Sequence, residues 1–316
     1  MNPPPIWTSA LLLITCLVVL FLFPALPSAE NSGAVGPATA HARAASTDTA
    51  PFASFTHHWR DDPIWHDGKA EFCVYDATRT IYGTTRRYQA RLYTNKEMAN
   101  PNTKTKSADN KGRAVFKHHL REDIPTENYS YHYSTMCYVG TTDLKSLKID
   151  MGSQEDCGTT LKQFVNHAGT CAWHQFSYFP NEGHRSGSYG PPKNIVFQDA
   201  LSLVLRGFPF DNPPATLRLQ MLSDQTSSRL TPSEPTPVLI SYVGPETLDL
   251  PVGQVKAHHV RVAHVERPGS PSRQVHDYWF AAEGTAPRLH VMVQYKGPGG
   301  ITYKLREQRR WAYWRR

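Results

Sequence analysis

The segment RLHVMVQYKGPGGITYKLREQ, residues 288–308, predicts two β-strands joined by a tight turn. After the turn, Ile301, Tyr303 and Leu305 alternate with polar residues, the two-residue period of a strand with one buried face. The GPGG sequence between the halves favours an antiparallel hairpin. We therefore expect the C-terminal tail to belong to the fold up to about Gln308, with its arginines solvated.

Similar strand-forming segments recur from residue 70 onward. In LKSLKIDMG, Leu147, Ile149 and Met151 face one side of a strand, while the residues between them are charged. Further segments rich in β-branched and aromatic residues are AEFCVYDA (70–77), RRYQARLYT (86–94), YHYSTMCYVG (131–140), TCAWHQFSYF (170–179), PVLISYV (237–243) and VKAHHVRVAHV (255–265).

One segment has helical spacing instead. In NIVFQDALSLVLRGFPF, Leu201, Val204, Leu205 and Phe208 recur at positions i, i+3, i+4 and i+7. This spacing predicts one helix over about residues 195–208. The expected fold is mostly β: a curved antiparallel sheet or half-open barrel, with this helix packed in its concavity or over its end.

Two polar segments interrupt the pattern. Residues 95–112 hold Met98 as their single aliphatic core residue, and residues 223–237 are rich in Ser, Thr and Pro. Both are predicted to be exposed loops.

The N-terminus predicts export. Ala10 to Phe23 is an apolar run of 14 residues, which is short for a membrane span and typical of a secretory signal. Cleavage after Ala29 would divide the chain into a signal peptide (1–29), a flexible linker (30–55) and a β-rich domain (56–316), with a possible subdivision near residue 190. The expected location is periplasmic, cell-envelope or secreted. An uncleaved membrane anchor is the alternative, because no Lys or Arg precedes the run.

The net charge of +7 is concentrated in the tail, where KLREQRRWAYWRR (304–316) carries six basic residues and one acidic residue. The remainder is close to neutral, so nucleic-acid binding is not expected. Membrane contact is expected only through an uncleaved signal or this basic tail, and a solvated final strand is the favoured reading of the tail.

Four cysteines would remain after signal cleavage: Cys73, Cys137, Cys157 and Cys171. Disulfides persist outside the cytosol and the number is even, so disulfide bonds are expected. The simplest pair is Cys157 with Cys171, although four cysteines allow three pairings.

Two resemblances support an envelope location. The segments VFKHHLREDIPTENYSYHYSTMCYV (115–139), GSQEDCGTTLKQF (152–164) and HQFSYFPNEGH (174–184) are similar to an exported bacterial family with an SxQEWCG-type signature, although Asp156 stands where the family more often has Trp. That family is sometimes labelled septum formation inhibitor Maf. The label does not transfer, because GSPSRQ (269–274) lacks the second Arg of the Maf phosphate loop and lies between predicted strands.

The C-terminal half resembles the domain of unknown function 3108 family. The similar stretches are ETLDLPVGQVKAHHVRV (246–262) and the segment beginning YWFAAE at residue 278. This resemblance implies an exported, mostly antiparallel, half-barrel-like sheet and gives no activity.

Residue types permit one catalytic constellation. Cys157 could act as a nucleophile with His174 as base and Glu155 as orienting group, although carboxylates beside a thiol raise its pKa. A structural role for Glu155 is the favoured reading. No metal site and no cofactor are expected, because none of the usual ligand spacings occurs.

Aromatic residues on the predicted strands could line a ligand-binding groove. The candidates are Tyr131, Tyr133, Trp173, Phe176 and Tyr178. The same residues could equally fill the core. The sequence therefore predicts an exported, β-rich, non-enzymatic protein that binds an apolar ligand or an envelope partner; the alternative is a hydrolase or transferase that uses Cys157, His174 and Glu155.

Overall fold

The computed structural model describes residues 52, 55–56, 58–167, 169–190, 195–265, 274–282 and 289–315. The predicted signal peptide with Cys16, nearly all of the predicted linker and most of GSPSRQ lie outside these residues. Among the described residues, no helix is long and apolar enough to cross a bilayer.

Fifteen strands in the described part of the chain form a single sheet. They are β1 (Ala70–Ile81), β2 (Thr84–Ala99), β3 (Arg113–Pro125), β4 (Ser130–Gly140), β5 (Ser146–Glu155), β6 (Gly158–His167), β7 (Thr170–Ser177), β8 (Gly183–Tyr189), β9 (Ile195–Phe197), β10 (Leu217–Leu222), β11 (Thr236–Leu250), β12 (Gly253–His264), β13 (Val275–Ala281), β14 (Met292–Gly297) and β15 (Ile301–Trp311). A four-residue helix, α1 (His58–Asp61), precedes them.

The sheet is antiparallel and unclosed. Its spatial order is β8-β7-β6-β5-β4-β3-β2-β1-β15-β14-β13-β12-β11-β10-β9, so β8 and β9 form the two ends. Every neighbouring pair is antiparallel except β9 and β10, which run parallel. This arrangement confirms the predicted fold class, mostly β with one large open sheet.

Long-range hydrogen bonds require the sheet to curve. Strands β4 and β10 lie nine positions apart, which would separate them by about 43 Å in a flat sheet. Nevertheless, Thr226 follows the end of β10 by only four residues, and its hydroxyl lies 2.8 Å from that of Thr135 on β4. Four residues of chain span at most about 14 Å. The sheet therefore wraps around the segment that contains Thr226.

The predicted helix is much shorter than expected. Ile195–Phe197 is strand β9, and the helical part consists of a 3₁₀ turn (Gln198–Ala200), the four-residue helix α2 (Leu201–Val204) and a second 3₁₀ turn (Leu205–Gly207). Most of these side chains are fully buried, so the segment has no solvated face of the kind that an amphipathic helix needs.

Gly207 allows this segment to pass close to the chain before β1. Its carbonyl accepts a hydrogen bond from the backbone N–H of Thr56 at 2.7 Å. A Cβ atom at residue 207 would lie 3.1 Å from the Thr56 carbonyl oxygen and 3.2 Å from Nε1 of Trp59. A larger residue would have to push these groups apart.

A buried ion pair ties the helical segment to the sheet. Both Arg206 and Glu71 of β1 are almost completely buried, and the Arg206 guanidinium donates two hydrogen bonds to the Glu71 carboxylate. Gln308 of β15 donates to the same carboxylate at 2.9 Å, and the guanidinium lies 5.6 Å from the ring centroid of Trp59. The pair thus joins the second 3₁₀ turn of the helical segment, β1 and β15.

The C-terminal tail belongs to the sheet, as predicted. Strand β15 pairs with β14 through the GPGG connection, and with β1 as far as Trp311. Gly299 and Gly300 both have φ of +69°, a conformation that favours glycine. Arg310 differs from expectation: it is mostly buried and donates to the Asp67 carboxylate at 2.8 Å, because the chain before β1 packs against it.

Replacing Glu71 with Gln should lower the free energy of unfolding by about 3–5 kcal/mol, because it leaves the Arg206 charge buried without a counterion. Unfolding in urea measures the loss. The double variant Glu71→Gln/Arg206→Met should recover a large part of it. As a control, Asp76→Asn breaks an exposed pair with Arg306 and should leave the unfolding midpoint nearly unchanged. Equal effects of Glu71→Gln and Asp76→Asn would contradict this account.

Candidate functional site

The three residues considered for catalysis do not meet. Glu155 ends β5 on the inner face of the sheet, where it accepts a hydrogen bond from the Ser153 hydroxyl at 3.0 Å. His174 lies on the outer face of β7, because its neighbour Gln175 points inward to Thr231. Cys157 is exposed in the turn between β5 and β6, and its thiol donates to the Tyr129 hydroxyl at 3.1 Å.

The distances along the strands also exclude this triad. His174 pairs with Gln163, five residues from the start of β6 at Gly158, which corresponds to about 17 Å. The His174 ring instead stacks with Phe176 and His184 on the outer face. Removal of Glu155 from bulk water raises the pKa of its carboxyl, and the carboxyl contacts Ser153 rather than a thiol or imidazole. The structural role predicted for Glu155 fits these contacts.

The expected disulfides are not present: all four described cysteines are free thiols. Cys171 pairs with Asn166 near the far end of β6, whereas Cys157 precedes the first residue of that strand. Eight residue steps of β6 separate the two ends by about 27 Å, but a disulfide requires Cα atoms within about 7 Å. Cys73 and Cys137 lie on β1 and β4, about 14 Å apart across three strand spacings.

The five aromatic residues considered for ligand binding lie on different surfaces. Tyr131 and Tyr133 are buried on the inner face of β4, and Trp173 is partly buried against Phe164 on the inner side of β7. Phe176 and Tyr178 are 46% and 80% exposed. These residues therefore do not line one groove.

The segment between β10 and β11, residues 223–235, contradicts the prediction of an exposed loop. We call it the interior loop, because Gln225 is completely buried and Thr226 is 4% exposed. Its backbone carbonyl groups accept hydrogen bonds from inward-facing polar side chains of the sheet. These contacts are Arg79 to Thr226, Lys162 to Gln225, Thr160 to Ser228 and Gln175 to Thr231.

Lys162 shows how strongly this interior is shielded. Its ammonium donates to the Gln225 carbonyl at 2.9 Å and to the Thr231 hydroxyl at 3.3 Å. Burial lowers the pKa of Lys162 to about 8, against the opposing attraction of Asp224 and Asp199. The lysine remains mostly charged at neutral pH and acts as a donor to the loop.

Two carboxyl groups meet where the interior loop approaches the helical segment. Asp199 accepts hydrogen bonds from the backbone N–H of Gln225 at 3.1 Å and from the Thr226 hydroxyl at 3.0 Å, and its carboxyl hydrogen-bonds to that of Asp224. Asp224 also accepts from the backbone N–H of Thr226 at 2.9 Å. Removal from bulk water raises the pKa of Asp199 well above its usual range, and the charge of Asp224 raises it further. A hydrogen bond between two carboxyl groups requires a proton on one of them.

Asp199 and Asp224 form one wall of a pocket inside the curved sheet. The space between its walls amounts to about 570 Å³, and part of it is open to solvent. Its apolar walls are Leu92, Leu120, Met292 and Ile301; its tyrosines are Tyr75, Tyr278, Tyr295 and Tyr303; its remaining polar residues are Gln198, Ser202 and Thr226.

Three of the four pocket tyrosines have partners for their hydroxyl groups. Tyr75 donates to the Met292 carbonyl at 2.9 Å, Tyr303 donates to Glu122 at 2.8 Å, and Tyr295 bonds to His276 at 2.8 Å. Tyr278 is 4% exposed, and its hydroxyl has no hydrogen-bond partner among the described residues. The hydroxyl is not one of the completely buried polar atoms of the described residues that lack a partner, so it faces the open space of the pocket.

Ser202, His118 and Thr94 resemble a nucleophile–base arrangement at the same pocket. His118 Nε2 lies 2.7 Å from the Ser202 hydroxyl, and Nδ1 lies 2.8 Å from the Thr94 hydroxyl. Burial lowers the pKa of His118 to about 3, and the charge of Arg206 adds to this effect. No carboxylate bonds to the imidazole to stabilise the cation that a general base must form. The arrangement favours a structural link between β3 and α2.

Sequence reasoning missed Asp199, Asp224 and Tyr278. Asp199 gave a usable signal, because a carboxylate interrupts the apolar residues Phe197, Ala200 and Leu201. Such a position in a buried segment indicates a partner or a site. Asp224 gave no signal, because it lies in a segment of polar composition.

No family model matches the chain, and no curated protein matches it. Among solved structures, the chain is similar to the crystal structure of a β-barrel-like protein of a domain of unknown function, DUF1849, from Brucella abortus. The similarity covers 77% of this chain and 98% of that chain, with a TM-score of 0.48 and 7% sequence identity. A similarity at this level gives no information about function.

Replacing Asp199 with Asn keeps this position neutral at every pH. Because the pKa of Asp199 is raised by folding, the folded protein holds a proton that the unfolded chain releases above about pH 4. Wild-type stability should therefore fall as the pH rises from about 4 toward the folded-state pKa, by at most about 1.4 kcal/mol per pH unit from this group. The Asn variant should lack this decrease, so its stability relative to wild type should rise with pH.

Urea unfolding between about pH 4 and 8 measures this difference. Asp109→Asn is a control outside the pocket, because that exposed carboxyl accepts hydrogen bonds from the Ser107 hydroxyl and the Lys111 N–H, which lower its pKa. Its stability difference from wild type should stay constant between about pH 5 and 8, where the carboxyl is ionised in both folded and unfolded chains. A constant difference for Asp199→Asn over the same range would rule out a proton held by the pair.

Proposed function

We propose that this protein is an exported, non-enzymatic module of the cell envelope that binds a small, mainly apolar ligand inside its curved sheet. The observation that carries the proposal is the pocket, where aliphatic and tyrosine side chains surround the unpartnered hydroxyl of Tyr278. Ligand sites are typically apolar cavities with a few polar groups that fix orientation. The apolar run Ala10 to Phe23 supports export.

The geometry favours binding over catalysis. Cys157 and His174 lie on separated parts of the sheet, and His118 lacks a carboxylate that would make it a base. The pocket groups with complete hydrogen bonding, such as Tyr75 and Tyr303, are fixed by partners within the protein. These tyrosines form walls of a binding site, and few polar groups of the pocket remain available to act as a nucleophile, acid or base.

Filling the pocket should abolish ligand binding. Leu120 lines the pocket from β3, so Leu120→Trp places a larger ring in the space that a ligand would occupy. We expect wild-type protein to enhance the fluorescence of the neutral apolar probe N-phenyl-1-naphthylamine, and Leu120→Trp to weaken binding at least about tenfold, or 1.4 kcal/mol.

Leu161→Trp is the matched control, because Leu161 is 55% exposed on the outer face of β6. It adds the same indole ring without entering the pocket and should bind the probe as wild type does. Thermal unfolding of both variants shows whether each remains folded. Equal probe binding by a folded Leu120→Trp variant and by wild type would refute the pocket as the site.

Export has its own test. When the full chain is produced in a bacterial host, N-terminal sequencing of the protein from the periplasmic fraction should begin at Glu30, after the ALPSA segment. Replacing Leu17 and Val18 with Arg interrupts the apolar run and should retain the uncleaved chain in the cytoplasm. A periplasmic protein that still begins at Met1 would favour a retained anchor, and accumulation of the wild type in the cytoplasm would refute export.

A further inference from the structure

The polar end of the pocket is rich in hydrogen-bond acceptors. Asp199 and Asp224 both line it, and their carboxyl groups share one proton. Beside them, Tyr278 is 4% exposed, lines the same space, and has no hydrogen-bond partner among the described residues. Burial raises the pKa of Tyr278, and the charges of Tyr295, Asp224 and Asp199 add to this effect. A ligand that satisfies this end must supply donors.

The ionisable groups around the pair come from most of the surrounding strands. They are Arg79 of β1, Glu122 of β3, Cys137 of β4, Lys162 of β6, His276 and Tyr278 of β13, Tyr295 of β14 and Tyr303 of β15. Burial lowers the pKa of His276 to about 4, so this imidazole is neutral at pH 7. Burial raises the pKa values of Cys137 and of the three tyrosines, which are neutral too.

The two nearby cations already have partners. Arg79 forms an ion pair with Glu122 at 3.1 Å, and the Lys162 ammonium donates to the Gln225 carbonyl at 2.9 Å. A further negative charge on the aspartate pair would therefore be buried at high cost unless another cation neutralised it.

We propose that the pocket selects an organic cation: a primary ammonium group on a small apolar skeleton, held by Asp199, Asp224 and the Tyr278 hydroxyl. This inference rests on the proposed function, because it assigns a chemical class to the ligand of the same pocket. The ammonium group has three N–H donors and no acceptor, which matches an end formed by two carboxyl groups and a hydroxyl oxygen.

The rest of the pocket suits the same ligand. Tyrosine rings attract cations through their π faces, and Tyr75, Tyr278, Tyr295 and Tyr303 surround the space. Leu92, Leu120 and Met292 receive the apolar skeleton. A carboxylate ligand would instead be repelled by the aspartate pair.

Binding of the ammonium should displace the proton that lies between the two carboxyl groups. The ammonium enters, the shared proton leaves Asp199 for solvent, and no covalent bond in the ligand changes. The net charge of the pocket is the same before and after this exchange, in which one proton is released for each ammonium bound. Affinity should therefore increase with pH as long as the ligand remains protonated.

Calorimetry with matched probes tests the proposal. The probes are 2-phenylethylammonium, 2-phenylethanol and 3-phenylpropionate, which share an apolar ring and differ in the polar end. At pH 7 the amine is protonated, since its pKa is close to the value of about 10.4 for lysine. We expect wild-type protein to bind the ammonium at least about tenfold more tightly than the alcohol, as for a charged hydrogen bond. We also expect the carboxylate to bind most weakly.

Proton release gives a second readout that needs no variant. Titrations of wild-type protein in phosphate and in Tris, which differ in ionisation enthalpy, should show release of about one proton per ammonium bound and none for the alcohol. Asp199→Asn replaces the protonated carboxyl with a neutral amide. It should abolish proton release and weaken ammonium binding about tenfold while leaving alcohol binding unchanged. Asp123→Asn, outside the pocket, should behave as wild type.

The outcomes separate this inference from the proposed function. If the naphthylamine probe binds in a Leu120-dependent way but the alcohol binds as tightly as the ammonium, or no proton is released, the ammonium assignment is overturned and the pocket stands. If Leu120→Trp leaves probe binding unchanged and none of the three ligands binds, both are overturned.

Discussion

The structure depends on the need to satisfy a polar chain segment inside an otherwise apolar interior. The interior loop brings backbone carbonyl groups into the concavity, where each would cost free energy if it lacked a partner. Arg79, Thr160, Lys162 and Gln175 supply the donors from strands that are far apart in the sheet order. These side chains can all reach one loop only if the sheet curves. In turn, the polar loop can be buried inside the curved sheet only if it receives these hydrogen bonds.

The helical segment closes the other side of the same interior. Its leucines are fully buried, and Arg206 attaches it to Glu71 through an ion pair that has almost no access to water. Asp199 lies at the start of this segment and faces the interior loop through Gln225 and Thr226. The pocket is the space that remains between these two inserted segments and strands β1, β2, β3, β13, β14 and β15.

Most charged side chains in this interior are hydrogen-bonded to a partner. Glu122 is completely buried, and it accepts hydrogen bonds from Arg79, Tyr88 and Tyr303. The Lys162 ammonium donates to the interior loop, and burial beside Asp224 raises the pKa of Asp199. Charges that are expensive to bury singly are acceptable here where they have a partner of opposite sign. The Tyr278 hydroxyl lines the pocket, where a ligand would sit.

The sequence by itself determined the strands, the final hairpin and the mostly β fold class. Alternation at a period of two, as in Ile149 and Met151, is a local signal that survives in the structure because both side chains face the main core. Leu147 was expected on the same face, but it packs with Ala99 and Val115 in a separate cluster, beside an irregularity in the pairing of β4 with β5. The helical spacing over 201–208 correctly located a helix, but the helix is only four residues long. Because this segment is buried on every side, no difference between an apolar and a polar face marks where the helix ends.

Only the tertiary structure determined that residues 223–235 form an interior loop, that the cysteines remain unpaired and where the pocket lies. Residues 223–237 have the composition of an exposed loop, yet the strand residues that bind the loop lie 56 to 147 residues away along the chain. Cys157 and Cys171 are close in sequence, but a straight strand holds them apart. Composition and spacing report local preferences, whereas the burial of a polar group depends on whether distant strands bring it a partner.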